Sequence, residues 1–377
     1  MENTFKEYYR LSQNELKNLW ETGIIVLDTN ILLNFYRYSD STISEFLNVL
    51  EKLRERLWLP YQIGREFHEE RLDVIQQQIK VYSDSISKID DIKKDFSNKN
   101  RNPFLSDELY AQFSNVLNKV NAELILKKEK YESRLSNDDV LVQISTIFND
   151  RNGQEYIESK IKEIYSTGEK RYKDKIPPGY KDNNKPQNKK FGDLIIWFQL
   201  IDKVEEIKKP ILYVTDDSKE DWWLIKSGKK LGPRPELRKE FFQKTNQLFY
   251  IYQPFKFLEF AKEKLSINIK ETTIDEVKEL KPINNDRLYQ IDNELLISIT
   301  LEKNSDKHNL DGFINLLESF GYDTHIEKLN ELNCKIFILA PNIPDITRRI
   351  RTKFVSQIES YGLKLIDFKP EIKGSIN

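Results

Sequence analysis

Hydrophobic residues near the N-terminus alternate between the spacing of a buried strand and that of an amphipathic helix. Residues 24–27 form a short, β-branched apolar run of the kind that a parallel strand needs. A capping box at Ser12 predicts a helix over residues 12–22, and a second helix is predicted over residues 41–56. A further strand is predicted at residues 57–60. Strands and helices that alternate in this way predict an α/β fold with a parallel sheet.

The middle of the chain, from residue 71 to residue 171, has a helical pattern throughout. A helix is expected to start near Tyr61 and to carry Glu66, and apolar residues then recur every three or four positions. Two interpretations are open, namely an αα-hairpin or helices that cover one face of the α/β core. The predicted helical segments are residues 75–96, 109–135, 139–148 and 154–165. Both interpretations predict a large all-helical insertion.

Strand and helix patterns return after a polar loop at residues 172–190. A helix opened by Asp193 is predicted, and the apolar strand that follows it ends at the Thr-Asp-Asp sequence of residues 215–217. The predicted elements are a helix at 192–204, strands at 210–214 and 249–252, and a helix at 254–264. These elements extend the α/β domain to about residue 270.

The C-terminal part of the chain has a different order of elements. Residues 271–285 are charged and polar and are predicted to form a linker to a domain at 286–377. Strands are predicted at 294–301, 324–328, 335–339 and 364–368, with helices at 310–320 and 344–361. This β-α-β-β-α-β order is that of a small α+β, ferredoxin-like domain. Substrate recognition, self-association and binding of a partner protein are all open as its role.

Composition narrows the chemistry that the 377 residues can support. One Cys and three His make a disulfide framework, a cysteine-based zinc site and a Ser-His-Asp system improbable, so carboxylates must carry any catalysis. The 60 Lys and Arg against 61 Asp and Glu give no overall basic excess for binding nucleic acid. Because no signal sequence and no apolar run of membrane-spanning length is present, we expect a cytoplasmic protein without a membrane partner.

Acidic residues follow the predicted buried strands. Asp28 ends the first strand, and Asp216 and Asp217 end a later one, where open parallel sheets bind their ligands. Glu66 lies just past the strand predicted at 57–60, and Asp193 lies in the first turn of its helix. Four or five carboxylates at one sheet edge repel one another unless a cation neutralises them. Oxygen ligands without His or Cys suit Mg²⁺ or Mn²⁺.

Other interpretations of these acids are also open. Asp193 is a good helix-start residue in its own right, since negative charge is favoured at a helix N-terminus. Glu66 is also explained as a solvated helix residue, and the neighbouring His68 and Glu69 leave open which side chain points inward. A haloacid-dehalogenase-type phosphatase would require an aspartate where the chain has Asn30. A receiver domain would require paired acids before its phosphoacceptor strand.

Several stretches resemble the PIN-domain nuclease superfamily, in particular its bacterial PIN-like subgroup with a long helical insertion. The first is IIVLDTNILLN at residues 24–34. The others are LPYQIGREFHEER at 59–71, IPPGYKD at 176–182, FGDLIIWFQL at 191–200, ILYVTDDSKEDWW at 211–223 and GPRPELRKEF at 232–241. The resemblance covers residues 20–265 and implies a Rossmann-like parallel sheet, whereas the family has no counterpart for residues 271–377.

The resemblance also implies a metal-dependent phosphodiesterase with defined site residues. The residues that would hold Mg²⁺ or Mn²⁺ are Asp28, Glu66, Asp193 and Asp216, with Asp217 assisting or replacing Asp216. The residues that would orient the site through hydrogen bonds are Thr29, Asn30 and Thr215. The metal would polarise a scissile phosphate and activate a bound water.

Local charge offers a route for a nucleic-acid partner despite the neutral total. Residues 170–190 carry eight cations against two anions, and a second basic group follows Trp222 and Trp223. The candidate nucleic-acid-binding residues are Lys175, Lys181, Lys189, Lys190, Arg234 and Arg238. A solvated loop is the alternative for these cations, and a core or loop-anchoring role is favoured for the two tryptophans.

The hypothesis from the sequence is therefore an endonuclease, with a toxin-like or anti-phage role. RNA is favoured as its substrate because the wider family mostly cuts RNA, although DNA stays open. The alternative from another class is a PIN-like module that binds RNA or a partner protein without turnover.

Overall fold

The structure is a computed structural model that describes residues 1, 4–97, 105–265, 267–280, 294–303, 309–319, 323–328, 333–341, 358–361 and 363–371. The chain divides into two compact units, residues 1–280 and residues 281–377. None of the helices in the described ranges is long and apolar enough to cross a membrane.

A parallel three-stranded sheet forms the centre of the first unit. The strands of this unit are β1 (Ile24–Leu27), β2 (Ile211–Val214), β3 (Trp223–Lys226), β4 (Lys229–Pro233) and β5 (Phe249–Tyr252). The order in the central sheet is β1-β2-β5, and every residue of β1 and β2 is buried. Strands that are buried on both faces need continuous apolar runs, which explains why the runs in β1 and β2 do not alternate with polar residues. The α/β prediction is confirmed for this unit.

Helices surround this sheet and extend away from it. The α-helices of the first unit are α1 (Gln13–Thr22), α2 (Thr29–Asn34), α3 (Asp40–Lys52), α4 (Tyr61–Ser97), α5 (Asp107–Arg134), α6 (Asp139–Phe148), α7 (Glu158–Lys173), α8 (Gln187–Lys190), α9 (Gly192–Ile207), α10 (Pro235–Thr245), α11 (Pro254–Leu265) and α12 (Glu271–Glu279). Short 3-10 turns lie at Lys6–Tyr8, Arg54–Arg56 and Tyr180–Asp182. The predicted capping box is present, since the Ser12 backbone donates to the Glu15 carboxylate and the Glu15 backbone donates to the Ser12 hydroxyl.

The strand predicted at residues 57–60 is wrong. Leu57 makes a single bridge to β1, and Leu59 makes a single bridge to Asn152 instead of continuing along the sheet. Pro60 follows at once and has no N–H to extend either ladder. The sequence also gave no prediction for the antiparallel hairpin of β3 and β4 or for α10.

The helical insertion is an αα-hairpin built from α4 and α5. Tyr82 packs against Tyr131 and Phe96 against Phe113, so the two helices contact each other along their length. Near the sheet, the Tyr36 hydroxyl donates to Asp138 at 2.7 Å and anchors the insertion to the core. Farther out, Val116 is 59% exposed, which shows that this part of the apolar stripe does not cover the core. The structure therefore agrees with the αα-hairpin and not with helices that only cover one face of the α/β core.

The linker predicted at residues 271–285 needs a correction. Residues 271–279 form α12, and Ile274 and Val277 are buried against the first unit. The Glu276 carboxylate accepts hydrogen bonds from the backbone and hydroxyl of Ser39 and from Thr42, at 2.6 to 2.7 Å. The many charged residues of this segment suggested a linker, although its few apolar residues form one face of a short amphipathic helix. The first unit therefore ends at residue 280 instead of residue 270. Residues 281–285 lie outside the described ranges.

The second unit contains an antiparallel four-stranded sheet. Its elements are β6 (Glu294–Lys303), α13 (Leu310–Ser319), β7 (Asp323–Lys328), β8 (Asn333–Pro341), a 3-10 turn (Glu359–Tyr361) and β9 (Leu363–Glu371). The strand order is β7-β8-β6-β9, and Phe313 and Leu317 of α13 are buried in its core. The helix predicted at 344–361 lies mostly outside the described residues, so the ferredoxin-like classification stays a prediction.

Candidate active site

The candidate site begins where β1 and β2 end side by side. The parallel register pairs Leu27 with Val214, and the Asp28 backbone N–H donates to the Val214 carbonyl at 2.9 Å. Asp28 is the N-cap of α2, so its side chain is held at the turn between strand and helix. Because both strands run in the same direction, Asp28 and Thr215 lie at the same edge of the sheet.

Three predicted orienting residues hold the Asp28 carboxylate. Its Oδ1 accepts from the Thr29 backbone N–H at 2.8 Å, and its Oδ2 accepts from Asn30 at 2.7 Å. The Thr215 hydroxyl also donates to Oδ2, at 2.5 Å. Burial raises the pKa of Asp28, and the bond from Thr215 opposes that shift. The carboxylate is therefore fixed in place at a cost in desolvation.

Glu66 reaches the same edge from α4. The Thr29 hydroxyl donates to Glu66 Oε2 at 2.8 Å, and Gln62 donates to Oε1 at 2.7 Å. Burial raises the pKa of Glu66 to about 7. A Cβ at Gly192 would lie 2.5 Å from Glu66 Oε1, so this glycine permits the carboxylate to lie against the start of α9. Glu66 is thus part of the site and is not a solvated helix residue.

Asp193 is the least satisfied acid of the group. It lies in the first turn of α9, and its buried Oδ2 accepts no hydrogen bond from any residue in the described ranges. Burial raises its pKa well above the ordinary value, while Lys219, whose ammonium lies 3.9 Å from Oδ2, opposes the shift. The helix-start interpretation accounts for its position but leaves this oxygen unexplained, because a buried acceptor without a partner is costly.

Asp216 and Asp217 have different surroundings although they are adjacent. The Asp216 backbone donates to Asn30 Oδ1 at 3.0 Å, and its carboxylate accepts from Asn34 at 3.4 Å. Burial raises the pKa of Asp216 to about 6, with Lys230 opposing. The Asp217 carboxylate instead faces Lys219, whose ammonium lies 3.2 Å from Oδ2. Asp216 therefore belongs to the group of Asp28, and Asp217 belongs to an ion pair beside it.

Sequence reasoning missed Lys219 and Asp182, which complete the acidic cluster. Lys219 places its ammonium 3.0 Å from Asp182, a carboxylate that is itself buried. The turn that carries Asp182 is held by the fully buried Asp221, which accepts from the backbones of Gly179 and Lys181. The only signal in the sequence was the alternation of acids with a lysine after β2, which is typical of an exposed charged loop.

The donor set suits a hard divalent cation. The side chains that would hold it are Asp28, Glu66, Asp193 and Asp216, all of which supply carboxylate oxygens, and Oδ2 of Asp193 accepts no hydrogen bond from the described residues. Within the described ranges, however, no three His, Cys, Asp or Glu side chains are arranged as a metal-binding group. The chemistry therefore fits a metal ion, while the ligands would have to close around it.

The predicted nucleic-acid-binding cations mostly have partners in the protein. The paired residues are Lys181 with Glu220, Lys189 with Glu70, Lys190 with Glu169, and Arg234 with Glu236. Arg238 donates to the backbone carbonyls of Glu7 and Tyr9, each at 2.7 Å, so it fastens the N-terminal segment. Lys175 is exposed. The net charge counted within residues 170–190 is therefore larger than the positive charge left for a nucleic acid, because acids from outside the segment pair with several of its lysines.

Trp222 and Trp223 have the structural role that was favoured for them. Trp222 is 1% exposed and stacks on Tyr213, with ring centroids 5.1 Å apart. The Trp223 indole donates to the Asp217 carbonyl at 2.7 Å, and the Lys230 ammonium lies over its ring. Both rings therefore support the loop that carries Lys219 and Asp217, and neither is a platform for stacked bases.

Comparison with known families agrees with this geometry. Residues 24–237, more than half of the chain, match the model of a family described as PIN like domain. The chain therefore belongs to the PIN-like domain family, which places it in a nuclease superfamily, and its long helical insertion agrees with the predicted subgroup. No curated protein and no solved structure matches the chain.

Proposed function

We propose that this PIN-like protein is an endonuclease that requires Mg²⁺ or Mn²⁺ and cuts single-stranded or structured RNA. The observation that carries the proposal is the convergence of four carboxylates, Asp28, Glu66, Asp193 and Asp216, where β1 and β2 end, each with a pKa raised by burial. Burial makes each of these acids costly to ionise, and a divalent cation would remove that cost. Clusters of this kind are typical of functional sites.

Each residue of the site has a distinct part in this proposal. When bound, the metal ion supplies Lewis-acid polarisation of a phosphate and a water of lowered pKa. Thr215 and Asn30 hold Asp28 in one orientation, and Thr29 links Asp28 to Glu66 through its backbone and its hydroxyl. Asp193 presents an oxygen that accepts no hydrogen bond from the described residues. Asp28 is therefore held in one orientation at the sheet edge, as a catalytic carboxylate needs to be, while the other ligands would have to close around the ion.

RNA is the favoured substrate on family grounds, and a toxin-like or anti-phage role is the cellular context that we propose. Lys175 is an exposed cation for a phosphate backbone in the segment that leads to α9. For residues 281–377, the antiparallel order β7-β8-β6-β9 supports a ferredoxin-like domain that binds substrate, a partner protein or a second copy. Growth arrest on expression of the wild type, and its absence for Asp28→Asn, would support the cellular role.

The decisive experiment compares the full chain with Asp28→Asn on matched RNA and DNA strands. We expect the wild type to cut RNA in Mg²⁺ or Mn²⁺, EDTA to stop it, and the variant to lose at least ~100-fold in rate. Circular dichroism should be the same for both proteins, because Asn retains the acceptor for the Thr29 backbone. Equal cleavage by the variant would refute the proposed site, and cleavage of DNA alone would change the substrate.

A second candidate function is a PIN-like module that binds RNA or a partner protein without turnover. The observation that favours it is Lys219, whose ammonium lies among three carboxylates in a site where the described residues form no metal-binding group. Isothermal titration with Mn²⁺ separates the two candidates. Binding that Asp28→Asn and Asp193→Asn both abolish supports the nuclease, whereas RNA binding without any uptake of Mn²⁺ supports the module.

A further inference from the structure

The ammonium of Lys219 lies at the meeting point of three chain segments. It contacts Asp182 from the 3-10 turn at 3.0 Å, Asp217 from the loop after β2 at 3.2 Å, and Asp193 from α9 at 3.9 Å. Lys219 also fixes its own loop, since its backbone N–H donates to Asp217 Oδ1 at 2.8 Å. One positive charge thus balances carboxylates that are far apart in sequence.

The three contacts differ in strength, and the difference has a direction. Asp182 accepts from the ammonium with both oxygens, at 3.0 and 3.1 Å, and is 10% exposed in its side chain. Asp193 is held only by the longer contact, and its Oδ2 receives no hydrogen bond from the described residues. The lysine is therefore anchored by Asp182 and is only weakly engaged with Asp193.

A lysine suits an exchangeable position better than a fixed one. Its ammonium is a compact point charge on a flexible four-carbon stem, and the Lys219 side chain is 32% exposed. Asp182 is itself held by Lys185, whose ammonium lies 3.1 Å from Oδ2, so Asp182 would remain an anchor for Lys219 in a second position. A divalent cation held by Asp193, with Asp217 assisting, would need carboxylate oxygens that now face the Lys219 ammonium at 3.9 and 3.2 Å.

We infer that Lys219 is a built-in cation that occupies the acidic cluster in the metal-free protein and competes with the divalent metal ion for Asp193 and Asp217. This inference rests on the proposed function. In this arrangement Asp193 and Asp217 both face an ammonium. The competition makes metal binding conditional on moving one side chain, which lowers the apparent affinity by the fraction of molecules in the open state.

The experiment is Mn²⁺ titration calorimetry on the full-length protein with Lys219→Met and a matched control, Lys230→Met. Lys230 donates to the backbone carbonyl of Asp217 at 3.1 Å, so the control removes one nearby charge without vacating the space between carboxylates. We expect Lys219→Met to bind Mn²⁺ at least ~10-fold more tightly than the wild type, because competition is removed. We expect Lys230→Met to change the affinity less than ~3-fold, the share due to charge alone.

Thermal unfolding, first in EDTA and then with Mn²⁺, provides a readout that does not depend on activity. Lys219→Met should melt at a lower temperature than the wild type, because three carboxylates lose their counter-ion, and saturating Mn²⁺ should raise its midpoint more than that of the wild type. Should this variant fail to fold, Lys219→Gln keeps a donor for Asp182 and removes the charge. The same affinity order is expected for it.

The outcomes separate this inference from the proposed function. Unchanged or weaker Mn²⁺ binding by Lys219→Met, or equal tightening in Lys230→Met, would overturn the competition while leaving the metal site intact. Binding by Lys219→Met with none by the wild type would support the competition and refute a metal-loaded wild type. No binding by either protein would refute both.

Discussion

The most direct quantitative test of the site concerns Glu66, whose pKa is raised by burial from 4.5 to about 7. The proposed change is Glu66→Gln, which keeps the shape of the side chain and removes its charge. Both hydrogen bonds can be kept, since the Thr29 hydroxyl can accept as well as donate and the Gln62 amide can turn. The variant therefore isolates the charge.

The sign and size of the effect follow from linkage. In the unfolded chain Glu66 ionises near 4.5, and in the folded protein near 7, so ionisation opposes folding progressively between these two values. Each unit of pKa difference corresponds to about 1.4 kcal/mol. The stability difference between Glu66→Gln and the wild type should therefore increase by about 2.5 kcal/mol between about pH 5 and about pH 8, in favour of the variant.

The assay is urea unfolding in EDTA at several pH values in this range, with the midpoint and slope fitted for each protein. An equivalent change at the exposed Glu69, Glu69→Gln, is the control for the loss of one negative charge from the same helix. Parallel pH profiles for Glu66→Gln and the wild type would show that Glu66 is not buried as an unpaired acid. Cleavage should fall in the variant even where its stability rises, which is the trade-off expected of a functional site.

Three further predictions test the surroundings of the site. Gly192→Ala should lower RNA cleavage at least ~10-fold with unchanged circular dichroism. The new Cβ would lie 2.5 Å from Glu66 Oε1 and would push the carboxylate aside, so full activity of the variant would contradict this. Thr215→Val should lower the free energy of unfolding by about 1–3 kcal/mol and also slow cleavage, since Asp28 loses its 2.5 Å bond; calorimetry and a rate assay measure both. Glu276→Ala should cost about 1–2 kcal/mol without affecting cleavage, because its bonds hold α12 to α3 and lie outside the acidic cluster.

The sequence predicts which acids lie near one sheet edge, but it does not predict the contacts among them. Asp28 and Asp216 follow buried apolar runs, so their position at one sheet edge follows from strand direction alone. The contact between Glu66 and α9 depends on Gly192, which brings together segments more than a hundred residues apart. Periodicity within one segment contains no information about such a contact.

Charge patterns were the least reliable guide. The basic segment at 170–190 suggested a surface for nucleic acid, but Lys181, Lys189 and Lys190 are paired with acids. Glu70 lies in α4, Glu220 follows β2 and Glu169 lies directly before the counted segment, so a count of charge within residues 170–190 missed all three acids. The acidic residues after β2 show the opposite error. Their pattern is typical of an exposed loop, but Lys219 pairs with Asp217 in a buried cluster.

The sequence by itself determined most of the local elements of this protein and the kinds of donor atom that its candidate site offers. Apolar runs and helical periodicity depend on neighbours a few positions away, and the scarcity of His and Cys leaves oxygen ligands as the available donors. Only the tertiary structure decided which carboxylates share an environment, which cations are already paired, and that Lys219 lies among the acids. Those properties depend on burial and on distances between remote segments, because desolvation and Coulomb energy are set by the folded surroundings of a charge.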